Sequence, residues 1–119
     1  DGEHQILLDQ YRLCLQRFIA KAKALESTRM IWATITPLYE SEEGVEMSEW
    51  KPKTETEIDA YNAAALEIVV ADGIPVNDLD EVIMQNDFSK CLTQDGCHMT
   101  EFGNEVLSDA VVKAVTALF

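Results

Sequence analysis

Apolar residues recur at three- and four-residue steps through Leu8, Tyr11, Leu15, Phe18, Ile19, Ala22 and Leu25, which predicts an amphipathic helix from about Leu8 to Leu25 with one buried face. Arg12, Gln16, Lys21 and Lys23 fall largely elsewhere, and Cys14 is expected to fill a small buried position. Glu26-Ser27-Thr28 breaks this period. The run Met30-Ile31-Trp32-Ala33-Thr34-Ile35 is nearly continuous in apolar and β-branched residues, as suits a central parallel strand over 29–36, and Pro37 stops it. Helical spacing returns from Thr56 to Ala71 through Ile58, Tyr61, Ala65, Ile68 and Val69, and Asp72-Gly73 supplies the stop. A short strand at 74–76 and a short helix from Asp78 to Met84 follow, the latter with Asp80 and Glu81 outward. A last helix over 101–118 takes Thr100 as N-cap and carries Phe102, Val106, Ala110, Ala114 and Ala117 or Leu118 as its apolar positions.

Two strands among three or four helices give an α/β class. An open parallel sheet buries both faces, so two strands would leave strand edges and apolar helix faces uncovered, and a further segment with about three more strands would cover them. The expectation is therefore that residues 1–119 form a single partial domain, completed by a second polypeptide or by the rest of a longer protein. A chain of 119 residues with 47% hydrophobic residues still has enough to bury a core of its own.

The formal net charge is −13, from 9 basic and 22 acidic residues, and no basic patch interrupts it. That balance excludes phosphate-backbone binding, so no nucleic-acid partner is expected, and it disfavours an anionic membrane surface. No segment reaches the roughly 18 to 20 apolar residues needed for a membrane span, and no signal peptide is visible.

The stretch with the most chemistry is Asp95-Gly96-Cys97-His98-Met99-Thr100-Glu101-Phe102-Gly103. A histidine becomes a useful general base when an acceptor on its far nitrogen fixes the tautomer, and a carboxylate one tight turn upstream supplies that acceptor. Gly96 lets the turn close, and the following helix would anchor it. The alternative for the same residues is a polar turn that only caps the helix. Cys91 and Cys97 bracket the loop, where a disulfide is open; a zinc site built from Cys91, Cys97, His98 and Asp95 lacks a paired Cys-x-x-Cys to support it. The other histidine, His4, lies in a polar segment without an assigned role. Residues 39–55, rich in glutamate, form the least regular stretch. There Trp50 either folds against the adjacent helix or walls a substrate cleft. Pro37 and its neighbours Thr36 and Leu38, at the C-terminal end of a parallel strand, are expected to approach the ligand crevice without doing chemistry.

The order of these pieces resembles the C-terminal part of the SGNH (GDSL-like) hydrolases, serine esterases and lipases with a three-layer α/β/α flavodoxin-like sheet. The likeness rests on the strand ending in Thr36-Pro37, a helix, a short strand leading to Asp78-Leu79, and the closing Asp95-Gly96-x-His98-x-Thr100-x-x-Gly103 helix start; it runs from about Leu8 to Phe119. It implies that His98 is the catalytic base and Asp95 the third triad member. It also implies hydrolysis of carboxylic esters, with short acyl (acetyl) esters on carbohydrate as first substrate class, no cofactor, and a secreted or periplasmic location. The family's Gly-Asp-Ser nucleophile, its oxyanion glycine and its Gly-x-Asn-Asp block have no counterpart: none of the five serines, Ser27, Ser41, Ser48, Ser89 and Ser108, follows Gly-Asp, and Asn77-Asp78 falls too late. The expected partner is therefore the N-terminal half of the hydrolase domain, which would carry the serine. A non-catalytic acidic interaction module is the alternative.

Overall fold

The computed structural model describes residues 7–40, 46, 51–52 and 55–119. Helix α1 runs over Leu8–Lys23, strand β1 over Trp32–Ala33, β2 over Tyr39–Glu40, β3 over Lys51–Pro52 and helix α2 over Glu55–Ala71. Strand β4 at Val76–Asn77 is followed by α3 at Leu79–Gln85, α4 at Phe88–Cys91 and α5 at Glu101–Leu118. The fold class is α/β. Among the described residues no helix is long and apolar enough to cross a membrane.

The main core forms where α1 lies on α2: Leu15 and Ile19 meet Ala65, Ile68, Val69 and Ile74, with Tyr11, Met30, Trp32 and Leu66 packed around them. The stripe that α1 buries is narrower than its apolar spacing predicts. Phe18 is 64% exposed and Leu25 60%, because α2 covers only the line through Leu15 and Ile19 and the helix ends before Leu25. Cys14, expected inside, is exposed for the same reason: one helical step of about 100° carries it off the Leu15 line.

Strand β1 pairs in parallel with β4, Trp32 opposite Val76 and Ala33 opposite Asn77. The Trp32 amide donates to Pro75 O at 2.9 Å and the Thr34 amide to Asn77 O at 3.2 Å. The regular pairing is much shorter than the predicted 29–36, because a ladder reaches only as far as its partner and β4 has two residues. Among the described residues β1 also has a strand on one side only, not the two of a central strand. Strand amides alternate in direction, so the Ile35 groups point away from β4. There the Asn62 carboxamide takes them: Asn62 Oδ1 accepts from the Ile35 amide at 2.8 Å and Nδ2 donates to Ile35 O at 3.1 Å. A buried side chain thus stands in for a neighbouring strand.

The C-terminal end of β1 is tied to α3 through Thr34, which is 5% exposed. Its hydroxyl donates to Asp78 Oδ1 at 3.0 Å and accepts from the Asp80 amide at 3.0 Å. Asp78 caps α3 by accepting from the Glu81 amide at 3.1 Å. Burial, then the nearby Asp78, Asp59 and Glu81 carboxylates, push the Asp80 carboxyl up from its ordinary value. Glu81 is exposed as expected, whereas Asp80 is half-buried.

The Asn62 clamp sets an expectation for stability. Replacing Asn62 with Leu keeps the volume but leaves the Ile35 amide and carbonyl unpaired, a loss of about 1–3 kcal/mol, toward the lower end because water reaches part of Ile35. Urea unfolding of Asn62→Leu against wild type measures it; an unchanged midpoint would mean that the carboxamide does not hold this edge.

Candidate active site

The Asp95–His98 segment is a tight loop closed at its neck by short antiparallel pairing. Leu92 bridges Met99, the Thr93 amide donates to His98 O at 2.8 Å, and the Thr100 amide donates to Cys91 O at 2.7 Å. Within the loop the Gly96 amide donates to Thr93 O at 2.9 Å. Thr100 caps α5 as expected, its hydroxyl accepting from the Gly103 amide at 3.0 Å. It also donates to Lys90 O at 2.5 Å, which joins the start of α5 to α4. Gly103 lets the two come close, since a Cβ there would lie 2.3 Å from Cys91 O.

A second small core supports the loop. Tyr39 and Leu92 are buried, with Phe88 and Met99 against them. The Tyr39 and Phe88 rings stack at 4.3 Å, 6° from parallel, and the Tyr39 hydroxyl donates to Met84 Sδ at 3.1 Å. The Tyr39 amide donates to Gly96 O at 2.9 Å. Gly96 has φ of +72°, and a Cβ on it would sit 2.0 Å from Tyr39 O. No other residue satisfies both the left-handed backbone and that contact. Since Tyr39 lies beyond the C-terminal end of β1, just after the buried Pro37, its bond to Gly96 places the loop at that end of the strand.

Asp95 divides its two oxygens. Oδ1 accepts from the Thr93 hydroxyl at 2.6 Å and from the Cys97 and His98 amides, each at 2.9 Å. Oδ2 pairs with His98 Nδ1. The Thr93 hydroxyl, then the His98 ring and the His98 and Cys97 amides, hold the Asp95 carboxyl well below the usual carboxylate range. It is an anion near neutrality and hence an acceptor only, so Nδ1 of a neutral ring carries the proton and Nε2 presents its lone pair. The His98 side chain is 79% exposed, so Nε2 is open to an approaching group. This is the geometry that a general base and its orienter require.

The other candidates fall elsewhere. Trp50 lies outside the described residues, as do His4, Ser41 and Ser48. Pro37 is buried in the segment between β1 and β2. Ser89 donates to Asp87 Oδ1 at 2.5 Å, Ser27 lies between α1 and β1, and Ser108 is about 12 Å along α5 from Thr100. All three cysteines are free. Cys91 is buried, its thiol donating to Asn86 O at 3.4 Å, while Cys97 is exposed, so the disulfide left open by the sequence does not form. Among the described residues no group of three His, Cys, Asp or Glu side chains is arranged to hold a metal ion. Two contributors escaped the sequence reading, Thr93 and Tyr39. Thr93 had a signal, a hydroxyl two residues before a carboxylate; Tyr39 had none, because its contact with Gly96 spans 57 positions, from 39 to 96.

No family model matches the chain, and no curated protein is significantly similar to it. Among solved structures its fold is similar to that of a lipase/acylhydrolase from Enterococcus faecalis, with TM-score 0.71 and 23% identity over 96% of this chain and 54% of that one. It is similar also to an alpha/beta hydrolase enzyme from the metagenome of Lake Arreo, Spain, with TM-score 0.67 and 17% identity over 99% of this chain and 51% of that one. At these identities the likeness shows the fold. The chain spans about half the length of the solved structures it matches.

The depressed Asp95 carboxyl fixes the sign of a pH effect. A group whose folded-state pKa is lowered contributes stability that is present above its unfolded pKa, about 4, and lost as pH falls toward the folded value, since the unfolded chain takes up the proton first. The stability gap between wild type and Asp95→Asn should shrink as pH falls below about 4. Asp87, lowered chiefly by the Ser89 hydroxyl, is common to both proteins and cancels. Urea midpoints at a series of pH values read the gap; a gap unchanged to the acid limit of folding would show that these donors do not stabilise the anion.

Proposed function

We propose that this chain is the C-terminal part of an SGNH (GDSL-like) serine hydrolase that cleaves carboxylic esters, supplying its base and orienter to a serine located outside residues 1–119. The observation that carries the reading is the His98–Asp95 pair itself. One carboxylate oxygen is fully engaged by local donors and the other faces Nδ1, leaving an exposed Nε2 at the C-terminal end of a parallel strand. That is where open α/β sheets place their ligand crevice. The resemblance of the Asp95 to Gly103 stretch to the family, and a fold like that of a lipase/acylhydrolase, support the same assignment.

In this reading the serine Oγ attacks the ester carbonyl while His98 Nε2 takes its proton, and Asp95 stabilises the imidazolium that forms. When the tetrahedral intermediate collapses, Nε2–H returns the proton to the leaving alcohol and an acyl-enzyme remains. Water, deprotonated by the same nitrogen, then attacks the acyl carbonyl. The serine leaves with the proton, and the carboxylic acid is released. The oxyanion donors lie outside the chain with the serine, in the N-terminal half of the hydrolase domain. Short acyl esters on carbohydrate, acetyl esters first, are the substrate class that the family resemblance favours.

Two measurements test this. The 119-residue chain alone should neither turn over p-nitrophenyl acetate nor have any serine labelled stoichiometrically by a fluorophosphonate. In a polypeptide or complex that adds the Gly-Asp-Ser segment, His98→Ala should lower kcat by about 10⁴-fold or more with the parts still associated. Near-normal turnover in that variant would reduce the Asp95–His98 turn to a helix cap, and the interaction-module reading would replace this one.

A further inference from the structure

His98 and Asp95 are joined by a third side chain that the triad reading does not include. We propose that Thr93 is a positioning residue, whose hydroxyl aims the Asp95 carboxylate at His98 and thereby fixes the imidazole in its Nδ1–H tautomer. This inference rests on the triad reading and adds a member that acts through Asp95 and touches neither substrate nor ring.

The argument starts from the freedom of the carboxylate. Asp95 is on the surface, its side chain 47% exposed, so hydrogen bonds must do much of the work of holding its χ angles. The two amide donors on Oδ1, from Cys97 and His98, both come from residues after it in the loop. A carboxylate bound from one side only can swing about that side. The Thr93 hydroxyl, from the segment before Asp95, adds a third donor to Oδ1 at 2.6 Å, so Oδ1 is held from both flanks of the chain and Oδ2 pairs with His98 Nδ1.

Thr93 is itself well held. Its amide donates to His98 O at 2.8 Å and its carbonyl accepts from the Gly96 amide at 2.9 Å. The same residue therefore closes the neck of the loop with its backbone and orients the carboxylate with its side chain. A substitution that removes only the hydroxyl leaves both backbone bonds in place. That makes the positioning role separable from the fold.

The test uses the 119-residue chain and needs no nucleophile. Long-range ¹H–¹⁵N spectra of the imidazoles, recorded at a pH where the ring is neutral, report which nitrogen carries the proton; a His4→Gln variant assigns the two histidines. Free histidine favours Nε2–H, and wild-type His98 should show Nδ1–H. In Thr93→Val, of nearly the same shape, the two ring ¹⁵N shifts should move toward the free-histidine pattern, as they should in Asp95→Asn, whereas Thr93→Ser should retain the wild-type pattern. Amide dispersion equal to wild type shows that Thr93→Val is folded, and Thr93→Ala provides a second deletion of the hydroxyl. Wild-type ring shifts in both deletions would overturn the role of Thr93 while leaving the His98–Asp95 reading intact. Equal loss in Thr93→Ser would overturn it too, by assigning the effect to packing. A wild-type ring without the Nδ1–H preference would remove both.

Discussion

The close passage of Gly96 across the backbone of Tyr39 is the contact on which the rest of the site depends. It joins two segments that share no regular secondary structure: the exit of β1 and the loop before α5. Without it the Asp95–His98 loop would be held only by its own neck and by the cap of α5. With it, the loop shares the small core of Tyr39, Leu92, Phe88 and Met99. The constraint is steric as much as bonded. A Cβ at Gly96 would overlap the Tyr39 carbonyl and the left-handed backbone would be strained, so any other residue here would have to move the Asp95–His98 loop.

The site therefore rests on a different core from the one that stabilises most of the chain. The Leu15–Ile19–Val69 cluster holds α1, α2 and the start of β4, whereas Tyr39 and Leu92 hold α4, the loop and the start of α5. The elements between them are thin: two strands of two residues each, the Thr34–Asp78–Asp80 tie, and the Asn77 side chain donating to Ala110 O at 3.4 Å. Apolar surface on α5 is left open as well, with Phe102, Val111, Val112 and Val115 all more than 40% exposed.

Features with a local cause were legible in the sequence. Thr100 and Asp78 stand where helices begin, Asp72-Gly73 where one ends, and the spacing from Glu101 to Leu118 is carried by one chain segment. The predicted spans consequently lie within a residue or two of α1, α2, α3 and α5. What the residues alone did not show depends on partners distant in sequence. The extent of β1 is set by β4, 44 positions on, and the pairing of β2 with β3 is set across a stretch with no hydrophobic alternation. Phe18 and Cys14 lie outside because α2 covers a narrower stripe than the apolar pattern allows. The four residues of α4 are too few for any periodicity, and Asp87 begins them from a left-handed backbone, φ 57°. In the site, the contact between the aspartate and the histidine was recognisable because it is made at a spacing of three, whereas the tyrosine that supports the loop was not.

The energetics of the pair follow from its exposure. An ion pair or charge-assisted bond between side chains 79% and 47% exposed gains little from Coulomb attraction in water and is screened by salt. Attraction alone would not hold a ring with rotatable χ angles in one orientation. The order comes instead from the backbone. The His98 amide binds the same carboxylate that its ring binds, so one side chain anchors the residue at two points, and the Cys97 amide and Thr93 hydroxyl keep that side chain still. Such a unit is preorganised before anything covers it. Covering Nε2 with a substrate or another chain segment would lower the local dielectric and strengthen the Asp95–imidazolium interaction at the moment a proton arrives on the ring. The loop supplies the geometry, and exclusion of water would supply the strength.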